Sequence, residues 1–436
     1  MIFLLDIILA VNLWIAYRYF KNLMAPPLLM GGGMLAASLI ATSYYNVWEM
    51  NTMLGKSVFL LGGGTFFFTI CCMFLSSIFP SFKLNHPVKV DFNFIKLTRM
   101  VMFYLFSIIV ALVGVMLKLY YMMMHFGTLG WAELIVAKRM DDWNGDNLFQ
   151  IPFYVRQMGS YTNIVSYLTI WLLVIIFISK KNKRNILKIL LIIHLVFALV
   201  DGMLSGSKAP IIGIIMLFAS TYFFVFYARR GSFYLSKRFI VRVLVIFVVL
   251  ASSFRGLSMI IGRNISERSN WDLLAEYCGA EIKNFDLYLH QNSKRDNSAI
   301  WGGNTFHSFY SEINLKFEKE KGEFQYVGNY ILGNVYTQFR SFHEDFGTVG
   351  VFIMCFFIAF VSMFFYSRST YVFIEPTKIN IYLFIYISMA TSIFMSFFSS
   401  RFTESICRIG WVRSSIYLMV LVWFIKHYLI KPYVKK

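Results

Sequence analysis

The densest group of chemically versatile side chains lies between Arg340 and Gly347, directly before a long apolar run. His343 is followed at once by two carboxylates, Glu344 and Asp345. An imidazole or carboxylate at the mouth of a helix can accept a proton near neutral pH, and Arg340 offers a cation for an anionic group. The segment therefore predicts proton abstraction beside a bound anion. A helix N-cap for Asp345, and an ordinary interfacial position for His343, stay open as alternatives.

Three other basic residues are candidates for binding phosphate. Arg255 ends an apolar run, Arg263 follows it, and Lys208 lies in a turn of small residues. Guanidinium groups bind phosphate through two parallel hydrogen bonds, and charges at the edge of a membrane span tend to face a cavity or a partner. Pairing with loop carboxylates remains the alternative for the arginines, and anchoring at the membrane surface for Lys208.

The composition is that of a polytopic membrane protein. Of 436 residues, 58% are hydrophobic and only 14% are charged, and the mean hydropathy is +0.62. A soluble domain has about a quarter of its residues charged. A net charge of +19 would suggest nucleic acid in a soluble chain, but here basic loops predicted to be cytoplasmic account for much of it, so no nucleic-acid partner is expected. Neither a disulfide framework nor a metal or nucleotide motif is recognisable, so we expect no metal and no cofactor.

A membrane-spanning helix needs about 20 mainly apolar residues, and the sequence predicts about eleven such segments. Their approximate ranges are 1–17, 24–44, 56–79, 100–124, 159–179, 185–204, 209–228, 239–254, 347–367, 379–399 and 410–426. The runs Gly31–Gly33 and Gly62–Gly64 lie inside these segments, which favours close helix packing over a phosphate-binding loop. We therefore expect an all-α, polytopic inner-membrane protein with two larger outward-facing loops.

Lys and Arg gather in alternate loops, which predicts an outward N-terminus and a cytoplasmic C-terminus. The predicted organisation is eight spans in 1–254 with an outward loop at 125–158, a large outward loop at 255–346, and three spans in 347–436. Arg401 and Arg408 lie in a short outward loop, against the positive-inside rule. We expect each to have a ligand or a carboxylate partner such as Glu404.

With these features the chain resembles the Wzy-type O-antigen (oligosaccharide repeat unit) polymerases of bacterial surface polysaccharide clusters. The likeness is one of architecture: many helices, and two sizeable outward loops that carry arginines. At motif level, Ser205-Gly206-Ser207-Lys208 matches a turn in which the family often has Arg instead of this Lys. Two other places are similar to the polymerases: Arg139, the basic residue after an amphipathic stretch, and Asp345-Phe346-Gly347, which enters a helix with Gly350. The segment from His343 to Gly347 is also similar to the His-x-x-x-Gly segment of the related O-antigen ligases.

The resemblance implies a GT-C-like fold and a metal- and nucleotide-independent glycosyl transfer at the periplasmic face of the bacterial inner membrane. The donor would be a glycan on undecaprenyl pyrophosphate, and the acceptor a lipid-linked repeat unit. The residues that would bind pyrophosphate and offset leaving-group charge are Arg139, Lys208, Arg255, Arg263 and Arg340. His343, Glu344 or Asp345 would deprotonate the acceptor hydroxyl.

The same resemblance implies further partners and leaves two alternative functions open. Membrane lipids and a chain-length regulator protein are candidate partners. Trp131, Trp143, Trp271 and Trp301 are candidates for stacking on sugars, although interfacial anchoring is the commoner role of such residues. The alternatives are an O-antigen ligase that transfers glycan to the lipid A core, and a non-enzymatic lipid-linked oligosaccharide flippase, for which internal repeats and short outer loops would be typical.

Overall fold

The chain is an all-α, multi-pass membrane protein. A computed structural model of the protein describes residues 1–83, 86–88, 95–144, 149–179, 185–206, 209–231, 256, 269–291, 300–313, 315, 324–328, 330–375 and 377–430. Within these ranges, nine helices are long and apolar enough to cross a membrane. The strands described there form one two-stranded hairpin.

The described elements follow one another along the chain. They are α1 (Ile2–Phe20), α2 (Pro26–Ser43), α3 (Gly55–Ile78), α4 (Leu97–Phe126), α5 (Trp131–Asn144), α6 (Phe153–Ile178), α7 (Asn185–Met203), α8 (Ala209–Arg230), α9 (Asn270–Cys278), α10 (Ala280–His290), α11 (His307–Glu312), β1 (Gln325–Val327), β2 (Tyr330–Gly333), α12 (Gln338–Ser369), α13 (Ile381–Phe394), α14 (Arg401–Ile406) and α15 (Ile409–Phe424).

Nine of the predicted spans coincide with the nine long apolar helices. The segment predicted at 379–399 forms a shorter apolar helix that ends in a 3₁₀ turn at Met395–Phe397. The segment predicted at 239–254 lies outside the described residues. These spans could be predicted from the sequence because a membrane helix satisfies all its backbone hydrogen bonds within one stretch of chain.

The chain forms two compact units, each assembled from three separated stretches. One unit comprises Met1–Phe82, Ser269–Thr370 and Ile385–Arg413, and we call it the first unit. The second unit comprises Lys83–Arg268, Tyr371–Phe384 and Ser414–Lys436. Each compact unit therefore combines stretches that are far apart in the sequence. The boundaries predicted at 254 and 346 divide the chain in another way, because they mark only the order of the predicted spans and loops.

Glycines allow helices of the first unit to approach closely. A side chain at Gly33 in α2 would come within 2.3 Å of the carbonyl oxygen of Phe394. One at Gly64 in α3 would meet the ring of Phe339 at 3.0 Å. Small residues at such crossings let helix backbones pack without a hydrophobic driving force from water. Both glycine runs thus serve helix packing, as predicted.

A buried ion pair ties α10 to the start of α3 in the first unit. The Asp286 carboxylate accepts hydrogen bonds from the Leu54 backbone N–H at 2.9 Å and from the Ser57 hydroxyl at 2.5 Å. It therefore caps α3 from a distant part of the sequence, which satisfies groups that every helix N-terminus leaves open. Lys283 lies 3.6 Å from Asp286 and donates to the Glu49 carbonyl at 3.0 Å.

The second unit buries one face of α5. Leu134 and Ile135 of α5 are 3% and 0% exposed. Leu134 packs with Met122 of α4 and with Leu204 after α7 in one apolar cluster. The apolar face of α5 therefore packs against protein.

Candidate functional site

The candidate site is a pocket of about 220 Å³ within the first unit. It lies where the N-terminal turns of α12 meet the segment that joins α13 to α14. Polar side chains dominate its lining, and two of them are guanidinium groups. The described lining residues are Asn304, Asn334, Val335, Tyr336, Thr337, Arg340, Ser341, Glu344, Phe398, Ser399, Ser400, Arg401 and Glu404.

Arg340 and Glu344 form the shorter and more buried ion pair of this pocket. They are one helical turn apart on α12, and the Arg340 Nε donates to Glu344 Oε1 at 2.6 Å. Their side chains are 13% and 18% exposed. The Arg340 guanidinium carbon also lies 3.9 Å from the centre of the Tyr336 ring. Such flanking by an aromatic face and a carboxylate fixes the guanidinium while leaving donors for a second anion.

A second Arg–Glu pair faces the pocket from the opposite segment. Arg401 lies 3.6 Å from Glu404 at the N-terminus of α14. Arg408, the other arginine of the short loop that is predicted to face outward, lies 3.1 Å from Glu312. The predicted carboxylate partners are thus confirmed for both arginines. Arg401 and Glu404 line the pocket, whereas Arg408 and Glu312 are not among its described lining residues.

His343 contacts a tyrosine of α10. The Tyr288 hydroxyl and His343 Nδ1 are 3.0 Å apart. The ring of Tyr288 also lies 5.1 Å from the guanidinium carbon of Arg340. His343 is not among the described pocket-lining residues. It is connected to Arg340, which does line the pocket, through the ring of Tyr288.

Asp345 holds a turn of the long segment that is predicted to face outward. Its carboxylate accepts the backbone N–H of Asn304 at 3.2 Å and that of Thr305 at 2.6 Å. The hydroxyl of Thr305 donates to the Ser341 carbonyl at 3.2 Å. Both Asp345 oxygens are therefore engaged with backbone donors, which favours a positioning role over proton transfer for this residue.

Gly347 separates the residues of the site from the membrane-spanning part of α12. Its φ of 68° and ψ of −165° interrupt the helix, and this conformation is essentially restricted to glycine. A Cβ at Gly350 would lie 1.9 Å from Cβ of Phe346. Because the helix is interrupted at Gly347, the short helix that carries Arg340 and Glu344 is kinked relative to the membrane-spanning part of α12.

The other predicted residues are distributed as follows. Arg139 is half-buried on α5 of the second unit, and its Cβ lies 3.3 Å from where a Cβ at Gly206 would be. It therefore packs against the turn that precedes Lys208. Lys208, Arg255 and Arg263 lie outside the described residues, so their convergence on one site stays a prediction.

Several pocket residues carry no sequence signal that would have singled them out. Asn304, Asn334 and Tyr336 lie in segments whose sequences indicate only a turn or helical spacing. Arg401 and Glu404 were recognisable as a possible pair, but not as part of the site of Arg340. In the described part of the chain, no group of three or more His, Cys, Asp or Glu side chains is placed to hold a metal ion.

Comparison of the chain with protein-family models, with curated proteins and with solved structures finds no match.

Proposed function

We propose that the chain is an O-antigen polymerase: a polysaccharide glycosyltransferase of lipopolysaccharide biosynthesis that joins lipid-linked repeat units at the periplasmic face of the bacterial inner membrane. The donor is a glycan on undecaprenyl pyrophosphate and the acceptor is a lipid-linked repeat unit. About eleven spans, an outward N-terminus and a cytoplasmic C-terminus belong to the proposal. Its main support is a pocket in which two arginines and two glutamates lie beside the end of a membrane helix.

The two arginines suit a pyrophosphate. Arg340 and Arg401 both line a pocket of about 220 Å³, and each guanidinium can offer a planar pair of donors to phosphate oxygens. Cations that are already fixed around a developing negative charge lower the barrier most, because they need not reorganise during the reaction. Arg340, held by Tyr336 and Glu344, is the better fixed of the two.

The glutamates supply the proton acceptor. A phosphate oxygen binds the terminal nitrogens of Arg340 while its Nε keeps the hydrogen bond to Glu344, and the Glu344 carboxylate accepts the proton of the acceptor hydroxyl. The hydroxyl oxygen then forms a bond to the anomeric carbon of the donor. The bond from that carbon to pyrophosphate breaks, and its electron pair leaves with the pyrophosphate. Glu404 and His343 are the alternative proton acceptors.

The test is complementation of a deletion strain with variants of matched arginines. Arg340→Ala is expected to lower polymer formation at least about 100-fold, leaving surface glycan at a single repeat unit. Arg408→Ala is the control, because it removes an arginine of the same unit whose partner, Glu312, lies 3.1 Å away and outside the described pocket lining. Wild-type ladder length in Arg340→Ala, at normal protein level, would refute the site.

The same gel distinguishes the ligase, and a transport assay distinguishes the flippase. Loss of all surface glycan, including the single-unit band, would indicate the ligase. Transport of lipid-linked units across liposomes by the purified protein, without a new glycosidic bond, would indicate the flippase. Release of undecaprenyl pyrophosphate together with a lengthened glycan is the outcome expected of the polymerase.

A further inference from the structure

Trp301 is an exposed aromatic ring on a rigid turn next to the pocket. It is 73% exposed, more than any other tryptophan whose side chain the structure describes. Its neighbour Asn304 lines the pocket with Arg340 and Glu344. An exposed indole has a large apolar face and one polar N–H, a combination found both at binding interfaces and at membrane surfaces.

Two further rings support the indole. The centre of the Phe346 ring lies 5.0 Å from that of Trp301, at an interplanar angle of 54°. Phe306 lies 6.3 Å away and nearly parallel, at 22°. Gly302 makes this arrangement possible, because its φ is +67° and a Cβ there would lie 2.9 Å from Phe306 and 3.1 Å from Phe346.

The backbone of the turn is fixed from two sides. The Tyr310 hydroxyl donates to the Trp301 carbonyl at 2.7 Å. Asp345, the residue after Glu344, holds the N–H groups of Asn304 and Thr305. A residue that only anchors a protein at a bilayer surface needs no such fixed orientation, whereas a ring that stacks on a ligand gains affinity when it is held in place beforehand.

We propose that Trp301 is the stacking platform of a sugar-binding subsite beside the pocket. It would pack against the C–H face of a pyranose ring whose anionic substituent is held by Arg340, with Asn304 available to hydrogen-bond sugar hydroxyls. This inference rests on the proposed function for the anion, but the subsite itself requires only a sugar. Asp345 is then a positioning residue that joins the platform to the helix of Glu344.

The test measures binding to the full chain in lipid nanodiscs with two probes. One is a polyprenyl pyrophosphate without sugar, and the other is the same lipid carrying an oligosaccharide repeat unit. Trp301→Ala is expected to weaken binding of the glycosylated lipid about tenfold and to leave the bare lipid within about twofold. Trp301→Tyr should keep most of the affinity. Trp14→Ala is the matched control, since Trp14 is 63% exposed on α1 of the same unit and was not a candidate for binding sugar.

Unchanged binding of the glycosylated lipid by Trp301→Ala would overturn the inference. An equal loss for both lipids would overturn it too, and would assign the ring to membrane anchoring or to the fold. If the wild-type protein binds neither lipid, the proposed function fails, and free oligosaccharides decide on the subsite. Saturation transfer to sugar protons in the wild type but not in Trp301→Ala would support it, and no transfer to either protein would refute it.

Discussion

At the scale of single residues, consecutive side chains of one short helix have different partners. His343 contacts Tyr288, Glu344 pairs with Arg340 in the pocket, and Asp345 holds the turn of Asn304. Successive residues on a helix point about 100° apart, so three neighbours in sequence cannot share one face. The proposed proton acceptor, Glu344, and the positioning group, Asp345, are thereby separated, although they are adjacent in the chain.

Glu281 is a second residue whose role depends on its surroundings. Its carboxyl group is fully buried in α10, and neither oxygen has a hydrogen-bond partner among the described residues. Burial, helped by nearby Glu276, raises the pKa of Glu281 well above its usual value of 4.5. We infer that Glu281 keeps its proton to a higher pH in the folded protein than in the unfolded chain.

The pH dependence of stability tests this protonation. The folded state binds the Glu281 proton more tightly than the unfolded state, so stability is lost as pH rises above the usual pKa of 4.5. Glu281→Gln, which mimics the protonated acid, should therefore raise the thermal unfolding midpoint by about 2 °C at pH 7.5. The difference should vanish near pH 4.5. An equal effect of the substitution at both pH values would contradict the inferred protonation.

At the scale of elements, the break in α12 decides where the site faces. Thr348 to Ser369 continues as a membrane helix, and the preceding turns carry Arg340 and Glu344 in another direction. Gly347 is the hinge point of this arrangement because of its φ of 68° and ψ of −165°. An L-amino-acid side chain at this position is sterically disfavoured, typically by about 1–3 kcal/mol.

Gly347→Ala is therefore expected to lower the unfolding midpoint of the purified protein by about 2–5 °C and to reduce polymer formation. The reduction follows because the short helix must tilt and carry Arg340 away from Arg401. Gly32→Ala is the control, since Gly32 lies inside α2 with open space around it and alanine favours a helix over glycine. A normal midpoint and normal ladder in Gly347→Ala would show that the break is dispensable.

At the scale of the whole molecule, the net charge of +19 bears on orientation. Basic residues near helix ends predict which loops remain in the cytoplasm. The site proposed here requires the segment between α9 and α12 to face outward, because lipid-linked repeat units are joined at the periplasmic face. Orientation and function are therefore coupled: an inward-facing pocket would be incompatible with the proposed polymerase.

Cysteine labelling can test the orientation. In a background without native cysteines, Tyr326→Cys should react with a membrane-impermeant maleimide on intact spheroplasts, because Tyr326 is 55% exposed on β1. Lys21→Cys, at the exposed end of α1, should react only after the membrane is permeabilised. The reverse pattern would overturn both the predicted topology and the periplasmic location of the site.

The sequence by itself determined the membrane class and most of the helices. A run of about 20 apolar residues forms a helix in a bilayer whatever surrounds it, since its backbone hydrogen bonds are local. Nine predicted spans coincide with described apolar helices for this reason. Arg340 and Glu344 were also identifiable, because charged residues that gather at a span's end are costly unless they serve a purpose.

Only the tertiary structure decided which distant residues join them. Arg401 and Glu404, which follow α13 in the sequence, line the pocket, and so does Asn304, which precedes the hairpin. These contacts depend on helix crossings at Gly33 and Gly64 and on the break at Gly347. Long-range packing of this kind leaves no periodic trace in the sequence, so the pocket and the Trp301 turn beside it became visible only when the chain was folded.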